Sequence, residues 1–256
     1  MAGIRRERQG PLAVLRLDKS RGNAIDEELV GELRQACADL EADDGVRGVL
    51  LASAHPKLFC PGLDLVSLVE YDRARLQHFM TAFGLMLSAL YGLRKPVVAA
   101  VSGHAVAGGC ILAMAADWRV LRRGGVTIGL NEVKVGVPLP RSVCALLRAT
   151  VPPGSLSRVA LLGPNFADED ALAAGLADEL ADEGSFEATC LSRLQEFAEK
   201  DAYSLAVTKT YLRAEALRQI KAEDPVAAAE WLDGWFSPGT QARIHATVAS
   251  LTRKTD

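Results

Sequence analysis

The sequence predicts an α/β fold in which strands alternate with helices and pair largely in parallel. The first observation is the alternation of short apolar runs with helical periodicities over the first 140 residues, an order that is typical of β-α units. The second is size and composition: 256 residues, 49% hydrophobic and 24% charged, suffice for a sizeable buried core. This composition excludes disordered, collagen-like and disulfide-dense chains. The net charge of −3 provides no general attraction for nucleic acid or an anionic membrane.

Each expected element follows from a local pattern. Short apolar runs bounded by turn residues predict strands, and apolar residues three and four apart predict helices. Asp26 is placed to cap the first helix, and the Asp-Asp-Gly sequence over 43–45 ends it. In chain order we expect a strand over 12–18, a turn over 20–23, a helix carrying Leu29, Leu33, Cys37 and Leu40, a buried strand over 46–53, a helix carrying Leu76, Phe79, Met80, Phe83, Leu87 and Leu90, a strand over 96–101, a helix over 108–116, and short strands over 117–121 and 126–128.

The character of the chain changes after about Arg141, where the sequence is mostly helical and is interrupted at prolines and glycines. We divide the chain into a β/α core over 1–200 and a helical region over 201–256. The five cysteines are scattered and form no C-x-x-C pair, which favours reduced cysteines. With no signal peptide in the sequence, a cytoplasmic location is expected.

A membrane span and a metal site are not expected. The segment 97–116 contains no Asp, Glu, Lys or Arg, but it is rich in alanine and glycine and is interrupted by Ser102, Gly103 and His104. A buried strand, turn and helix explain that segment better. The four histidines form no H-x-x-x-H pattern.

The first stretch that could carry chemistry reads Phe-Cys-Pro-Gly-Leu-Asp-Leu over 59–65. It follows a predicted strand and precedes a helix, and Pro61 and Gly62 define its turn. The first amides of a helix have no internal acceptor, so the Leu63 N–H could serve as an oxyanion donor. The alternative is a plain strand-to-helix turn with Asp64 at the cap.

The second stretch places Gly108 and Gly109 at the start of an apolar helix, where a ligand can approach the backbone closely. Gly103 and Gly108 have the spacing of a P-loop, but Gly109-Cys110 stand where lysine and Ser/Thr are required, which excludes a nucleoside triphosphate site of that kind. Tight helix packing is the alternative explanation.

The third stretch covers 127–138 and contains Glu132 among largely apolar residues. Desolvation of that carboxylate would raise its pKa toward neutrality and suit it to proton transfer. The alternative is a surface glutamate paired with Lys134.

Together, the three stretches resemble the crotonase, or enoyl-CoA hydratase/isomerase, superfamily. Its members carry an F-[SC]-A-G-x-D turn, a G-x-A-x-G-G segment and a glutamate after proline or asparagine, and all three have counterparts here in that order. Asn23-Ala24-Ile25 is similar to the N-A-[LIM] turn of the family. Pro61 replaces the usual alanine. The resemblance covers essentially the whole chain and implies a ββα-superhelix core followed by C-terminal helices that assemble trimers or dimers of trimers.

The resemblance implies a coenzyme A thioester as substrate, no separate cofactor and no metal. The N–H groups of Leu63 and Gly108 match the two donors that stabilise a thioester enolate. Glu132 matches the catalytic acid/base. Lys19, Arg21, Lys57 and Lys95 are candidate partners for the phosphates of coenzyme A. Contact with substrate is expected from Asn23, Ala24, Cys60, Pro61, Gly62, Leu63, Asp64, Gly108 and Asn131.

Hydratases of the family use two glutamates, and the first of them corresponds to Ile111 here. A single carboxylate suffices to move a double bond, so the resemblance is closest to the Δ3,Δ2-enoyl-CoA isomerases. Hydration with an unusual second group, thioester hydrolysis, decarboxylation and non-catalytic acyl-CoA binding stay open as alternatives.

Overall fold

Two β-sheets organise the fold. The computed structural model describes residues 3–222 and 224–252, so residues 223 and 253–256 of the expected C-terminal region lie outside the described residues. The larger sheet has the strand order β1-β2-β3-β5-β7-β10, and the smaller has the order β4-β6-β8-β9. The strands are Ile4–Gln9 (β1), Leu12–Leu17 (β2), Gly48–Ser53 (β3), Leu58–Cys60 (β4), Val97–Val101 (β5), His104–Val106 (β6), Trp118–Arg122 (β7), Thr127–Gly129 (β8), Phe166–Ala167 (β9) and Glu179–Ala181 (β10).

Parallel pairing dominates both sheets, as predicted. In the larger sheet the pairs from β2 to β10 are parallel, and the β1–β2 hairpin is antiparallel. In the smaller sheet only β9 is antiparallel to its neighbour. Every residue of β3 and β5 is buried because helices cover both faces of the larger sheet. The α/β class expected from the sequence is confirmed.

Helices connect the strands and then dominate the C-terminal part of the chain. Asp26 caps α2 as predicted, because its carboxylate accepts a 3.0 Å hydrogen bond from the Leu29 amide. A 3-10 turn covers Pro153–Ser155 and a π-helical turn covers Arg158–Leu162. The helices are Ser20–Asn23 (α1), Glu27–Ala42 (α2), Leu65–Leu68 (α3), Arg73–Gly92 (α4), Gly108–Met114 (α5), Glu132–Val135 (α6), Arg141–Thr150 (α7), Asp168–Ala174 (α8), Phe186–Ala198 (α9), Ala202–Lys221 (α10), Pro225–Trp235 (α11) and Pro238–Thr252 (α12).

Several strands were not predicted from the sequence patterns. In β1 only Ile4 is buried, so this edge strand has no apolar alternation and depends on backbone pairing with β2. The three-residue strands β4 and β6 lie in segments that we interpreted as turns, and β9 and β10 interrupt the region interpreted as mostly helical. Strands of two or three residues are too short to display a period, so only their partners define them.

Buried apolar side chains form two clusters on opposite faces of the larger sheet. The larger cluster lies under α2 and α4 and includes the predicted stripe residues Phe79, Phe83 and Leu87. The smaller lies under α9 and includes Val14, Val98 and Leu194. Within the described residues, no helix combines the length and the apolar character that a membrane span requires.

A buried ion cluster joins the C-terminal helices to the core. The Asp117 carboxylate receives the Lys209 ammonium at 2.6 Å and the Arg213 guanidinium at 2.7 Å. Arg213 also donates to the carbonyl oxygens of Tyr91, Ala115 and Ala116, and Lys209 donates to that of Lys95. Loss of one partner is expected to cost more here than in a surface ion pair, because the remaining charges would stay buried with few waters to solvate them.

Replacement of Asp117 by asparagine is expected to destabilise the protein by roughly 3–5 kcal/mol, because two cations would stay buried without a counter-ion. Urea unfolding monitored by circular dichroism measures the change. The control is Glu215→Gln, which breaks an exposed pair with Arg218 on the same helix and should cost under about 1 kcal/mol. Equal losses in the two variants would contradict a special role for the buried cluster.

Candidate active site

A cavity of about 740 Å³ lies where the smaller sheet meets the C-terminal helices. Its wall is mostly apolar, and polar groups are concentrated near the turns that follow β4, β6 and β8. All three stretches that the sequence analysis selected reach this wall. Among the predicted site residues the lining contains Ala24, Pro61, Leu63, Asp64, Gly108, Asn131 and Glu132.

Two backbone turns touch each other at one side of the cavity. A Cβ atom on Gly62, whose φ is +104°, would lie 3.2 Å from the Gly108 amide nitrogen. A Cβ on Gly109 would lie only 2.0 Å from the Cys60 carbonyl oxygen, which no side chain could tolerate. Glycines therefore permit the turn after β4 and the start of α5 to meet backbone to backbone. The tight helix packing considered as an alternative at Gly108 and Gly109 is therefore present, and it also brings the two turns together at the cavity.

The amides of Leu63 and Gly108 belong to two residues that both line the cavity. Ile25 pairs with the residues on either side of Leu63: its N–H donates to the Gly62 carbonyl oxygen (2.8 Å), and its own carbonyl accepts from the Asp64 amide (2.9 Å). Within the described part of the chain, the Leu63 N–H has no acceptor. Gly108 is the first residue of α5, and its N–H likewise has no acceptor among the described residues. Two such donors side by side form an anion-binding pair.

Ala107 carries backbone strain at this point. Its φ of 51° and ψ of −119° fall in a region that residues with a Cβ rarely adopt. The Ala107 amide is held by a 2.8 Å hydrogen bond to the Gly129 carbonyl oxygen, which secures the strained turn to β8. Strain of this kind persists where the surrounding structure imposes a functional geometry.

Glu132 begins the short helix α6 on another part of the cavity wall. Its Oε2 atom is buried and has no hydrogen-bond partner in the described part of the chain. Desolvation raises the pKa of this carboxyl to about 7, against an ordinary value of 4.5. The alternative ion pair with Lys134 does not form, since Lys134 is exposed and no salt bridge joins the two side chains. Glu132 therefore has the properties of an acid/base near neutral pH.

The cavity holds one other carboxylate, that of Asp64, which is already engaged. It accepts hydrogen bonds from the Arg21 guanidinium at 2.8 Å and from the Ser67 hydroxyl at 2.7 Å. Ile111 lies in the wall with 3% of its surface exposed and cannot move a proton. Among the residues that the structure describes, Glu132 is thus the carboxyl of this cavity wall without an ionic partner.

Asn23, Cys60 and Gly62 were expected to contact substrate, but they lie behind the wall. The Asn23 amide donates to the Ser53 hydroxyl (2.8 Å) and the Phe59 carbonyl oxygen (3.0 Å), so it fastens α1 to β4. Cys60 is fully buried, which raises the pKa of its thiol to about 12. These residues support the turn that presents Pro61 and Leu63.

Of the four candidate cations, Arg21 is the one that lines the cavity. Lys19 pairs with Asp26 and Glu28, and the Lys95 ammonium donates to the Asp43 carbonyl oxygen away from this cavity. Lys57 is exposed. Within the described residues, no group of three or more His, Cys, Asp or Glu side chains could hold a metal ion.

The sequence analysis missed the part of the wall that the C-terminal helices supply. Trp231, Trp235, Thr247 and Leu251 all line the cavity, and the two tryptophan rings stack at 5.5 Å. The signal available in the sequence was the cluster of aromatic residues Trp231, Trp235 and Phe236. It packs within the chain, and the helices that carry it are part of the candidate site.

Solved structures resemble this chain over nearly its whole length, and characterised proteins match about four fifths of it in sequence. Human mitochondrial Δ3-Δ2-enoyl-CoA isomerase superposes with a TM-score of 0.94 at 24% identity, covering 99% of this chain and 100% of that chain. An enoyl-CoA hydratase from Mycobacterium marinum superposes with a TM-score of 0.80 at 28% identity, covering 90% and 99%. In sequence, mouse mitochondrial enoyl-CoA delta isomerase 1 is 30% identical over 81% of this chain and 73% of that protein.

Relatives with other activities match at similar levels. A carnitinyl-CoA dehydratase from Salmonella typhi is 26% identical over 81% of this chain and 78% of its own length. The enoyl-CoA hydratase/isomerase family model matches residues 7–230, which contain both turns and Glu132. The chain therefore belongs to the enoyl-CoA hydratase/isomerase family, and is an enzyme of the crotonase superfamily.

Proposed function

We propose that this protein is an acyl-CoA double-bond isomerase that converts 3-enoyl-CoA to 2-enoyl-CoA. The observation that carries the proposal is one desolvated, unpaired carboxyl, Glu132, in the same cavity as the free amides of Leu63 and Gly108. Family membership supports chemistry on a coenzyme A thioester, and the isomerases among its relatives support the choice of reaction.

The thioester carbonyl oxygen would accept hydrogen bonds from the two amides. Glu132 would remove a proton from the α-carbon, and negative charge would collect on the carbonyl oxygen as the enolate forms. Each donor to such an oxyanion is worth about 2.7–4 kcal/mol, which offsets much of the low acidity of the α-proton. Glu132 would then return the proton two carbons further along, and the double bond would move into conjugation with the carbonyl.

Ile111 favours isomerisation over hydration. Activation and protonation during water addition use two carboxyl groups in the hydratases of the family, and the apolar side chain at 111 provides neither. Asp64, the other carboxylate of the wall, is neutralised by Arg21. The return of one proton by one carboxyl needs no second group.

The remaining contacts are assigned as follows. Asn131 precedes Glu132 on the wall and would contact the acyl thioester, and Ala24, Pro61 and Asp64 would line its path. Arg21, which also lines the cavity, is the candidate cation for the phosphates of coenzyme A. No separate cofactor or metal is needed for a proton shift. For the assembly we propose a homotrimer or dimer of trimers, and the exposed Tyr203, Tyr211 and Leu212 of α10 provide apolar surface for it.

Product analysis decides between this activity and its alternatives. Incubation with 3-enoyl-CoA thioesters in deuterated water, followed by mass spectrometry, should give 2-enoyl-CoA, which carries deuterium to the extent that the proton held on Glu132 exchanges with solvent before it is returned. A 3-hydroxyacyl product would indicate a hydratase, free acid a hydrolase, and carbon dioxide a decarboxylase. Binding without turnover or exchange would indicate a non-catalytic protein.

Replacement of Glu132 by glutamine should lower kcat for isomerisation by about 10²- to 10⁴-fold, because the amide cannot accept the α-proton. KM should change far less, since the side chain stays the same size. Steady-state kinetics on 3-enoyl-CoA measures both constants. Glu70→Gln, on the exposed surface beyond α3, serves as the control and should keep wild-type turnover. Full activity in the Glu132 variant would remove it as the base.

The rate should rise with pH through about 7. Burial raises the pKa of Glu132 to about 7, and only the ionised carboxylate can remove a proton. A profile of kcat/KM between pH 5 and 9, roughly two pH steps either side of that pKa, should therefore be low in acid and reach a plateau above neutrality. A flat profile over this range would contradict the desolvated base.

Gly109→Ala should lower kcat by about 10²- to 10³-fold, because the new Cβ would meet the Cys60 carbonyl oxygen and force the two donor turns apart. The matched control is Gly84→Ala in α4, where a Cβ meets nothing within 4 Å. That change should keep the activity and stabilise the helix by up to about 1 kcal/mol. Kinetics combined with thermal unfolding separates loss of geometry from loss of fold.

A further inference from the structure

The loop that follows Glu132 is held by the last two helices. Gly136 ends α6 with φ +82°, and its carbonyl oxygen accepts a 2.8 Å hydrogen bond from the Thr240 hydroxyl of α12. The Pro138 carbonyl oxygen accepts a 2.8 Å hydrogen bond from the Trp231 indole N–H of α11. Thr240 is 3% exposed, so water cannot readily replace its bond. We name Thr240 and Trp231 the C-terminal clamp.

Backbone packing reinforces both hydrogen bonds. A Cβ on Gly136 would lie 2.9 Å from the Thr240 hydroxyl and 3.0 Å from the Arg243 guanidinium. A Cβ on Gly234 of α11 would lie 3.0 Å from the Pro138 ring. The loop and the two helices therefore fit against each other without space for a side chain at either glycine.

Helix α6 depends on this support because it has little of its own. It contains four residues, none of which is buried as a whole although the Oε2 atom of Glu132 is, and such a short helix is unstable without tertiary contacts. The Val137 and Gly136 amides close it through hydrogen bonds of 3.0 and 3.3 Å to the Glu132 and Val133 carbonyl oxygens. The Glu132 backbone is thus held in place through the end of α6, where the Thr240 hydroxyl binds the Gly136 carbonyl oxygen.

We propose that Thr240 and Trp231 are positioning residues for the reaction, which hold α6 so that the Glu132 carboxyl stays in its desolvated place facing the two donor amides. In this proposal α11 and α12 have two roles: they line the cavity, and they also hold the side chain of Glu132 in position. The catalytic part of this inference depends on the proposed function, whereas the effect on the Glu132 carboxyl does not.

The surroundings of Glu132 make its carboxyl a sensitive reporter of the clamp. Cys110 of α5 and Cys144 of α7 face it as neutral thiols, whose pKa values are raised by burial. Asp64 across the cavity is paired with Arg21, while Lys134 and Arg243 lie on α6 and α12 without a salt bridge to Glu132. Water that enters beside a loosened α6 would therefore stabilise the ionised form and lower the pKa of Glu132.

The test is Thr240→Val, which keeps the shape of the side chain and removes the hydroxyl. The pKa of Glu132 is measured by ¹³C NMR on protein labelled at the glutamate carboxyl carbon, with Glu132→Gln used to assign the resonance. We expect the pKa to fall from about 7 toward the ordinary 4.5. For isomerisation, kcat should fall roughly ten- to a hundredfold with little change in KM, because the base is misplaced while the acyl pocket stays.

Two further variants give the measurement its controls. Thr240→Ser restores the hydroxyl and should restore the pKa and kcat. Thr210→Val removes a hydroxyl bond of the same kind, to the Ala206 carbonyl oxygen on the exposed face of α10, and should leave both unchanged. A folded Thr240→Val protein with the wild-type pKa overturns the proposal, as does an equal shift in Thr210→Val.

Trp231→Phe tests the clamp independently, including the case in which Thr240→Val does not fold. It removes the N–H that binds Pro138 and retains a ring to stack on Trp235. The pKa of Glu132 should again fall, and an unchanged pKa would overturn the role of Trp231. The NMR measurement needs no substrate. If the wild-type protein isomerises no 3-enoyl-CoA, the proposed function is refuted, but the pKa of Glu132 in the variants still tests the C-terminal clamp.

Discussion

The structure of the site depends on the contact between two backbone turns. The turn after β4 and the first residues of α5 meet at Gly62, Gly108 and Gly109, so closely that a methyl group on Gly109 would occupy the place of the Cys60 carbonyl oxygen. Two amides that belong to distant parts of the chain come to one edge of the cavity through this contact. The cost is visible in the strained Ala107 and in the positive φ of Gly62, and the parallel strands β4, β6 and β8 hold both turns in place.

Burial of a single carboxyl is the second constraint. Glu132 lies in a largely apolar wall and forms no ion pair with the described residues, and desolvation raises its pKa to about 7, a value suited to the proton transfer proposed for it. Asp64 shows the contrast within the same cavity, because Arg21 and Ser67 hold its carboxylate in hydrogen bonds. In the proposed mechanism Glu132 is therefore the acid/base, whereas Asp64 stays an ion-paired carboxylate. The apolar side chain of Ile111 provides no second acidic group beside Glu132.

The C-terminal helices connect these features to the stability of the whole chain. Helix α10 is fastened to the core by the buried cluster around Asp117, and α11 and α12 then extend to the cavity and the loop after Glu132. A region that the sequence analysis assigned to assembly therefore also supplies a wall of the site. The two roles are compatible, because α11 and α12 contact the cavity while the exposed tyrosines lie on α10.

The α/β class, the main strands and helices, and the three stretches that reach the cavity could all be predicted from the sequence, because apolar periodicity, caps and glycine turns are local properties. It also singled out Glu132 and the amides of Leu63 and Gly108. The sequence did not predict that Asn23, Cys60 and Gly62 lie behind the wall, that Glu132 has no ionic partner among the described residues, or that Trp231 and Thr240 contact the loop after Glu132. Burial, pairing and contact between residues a hundred positions apart depend on how the elements pack, and no local pattern in the chain encodes them.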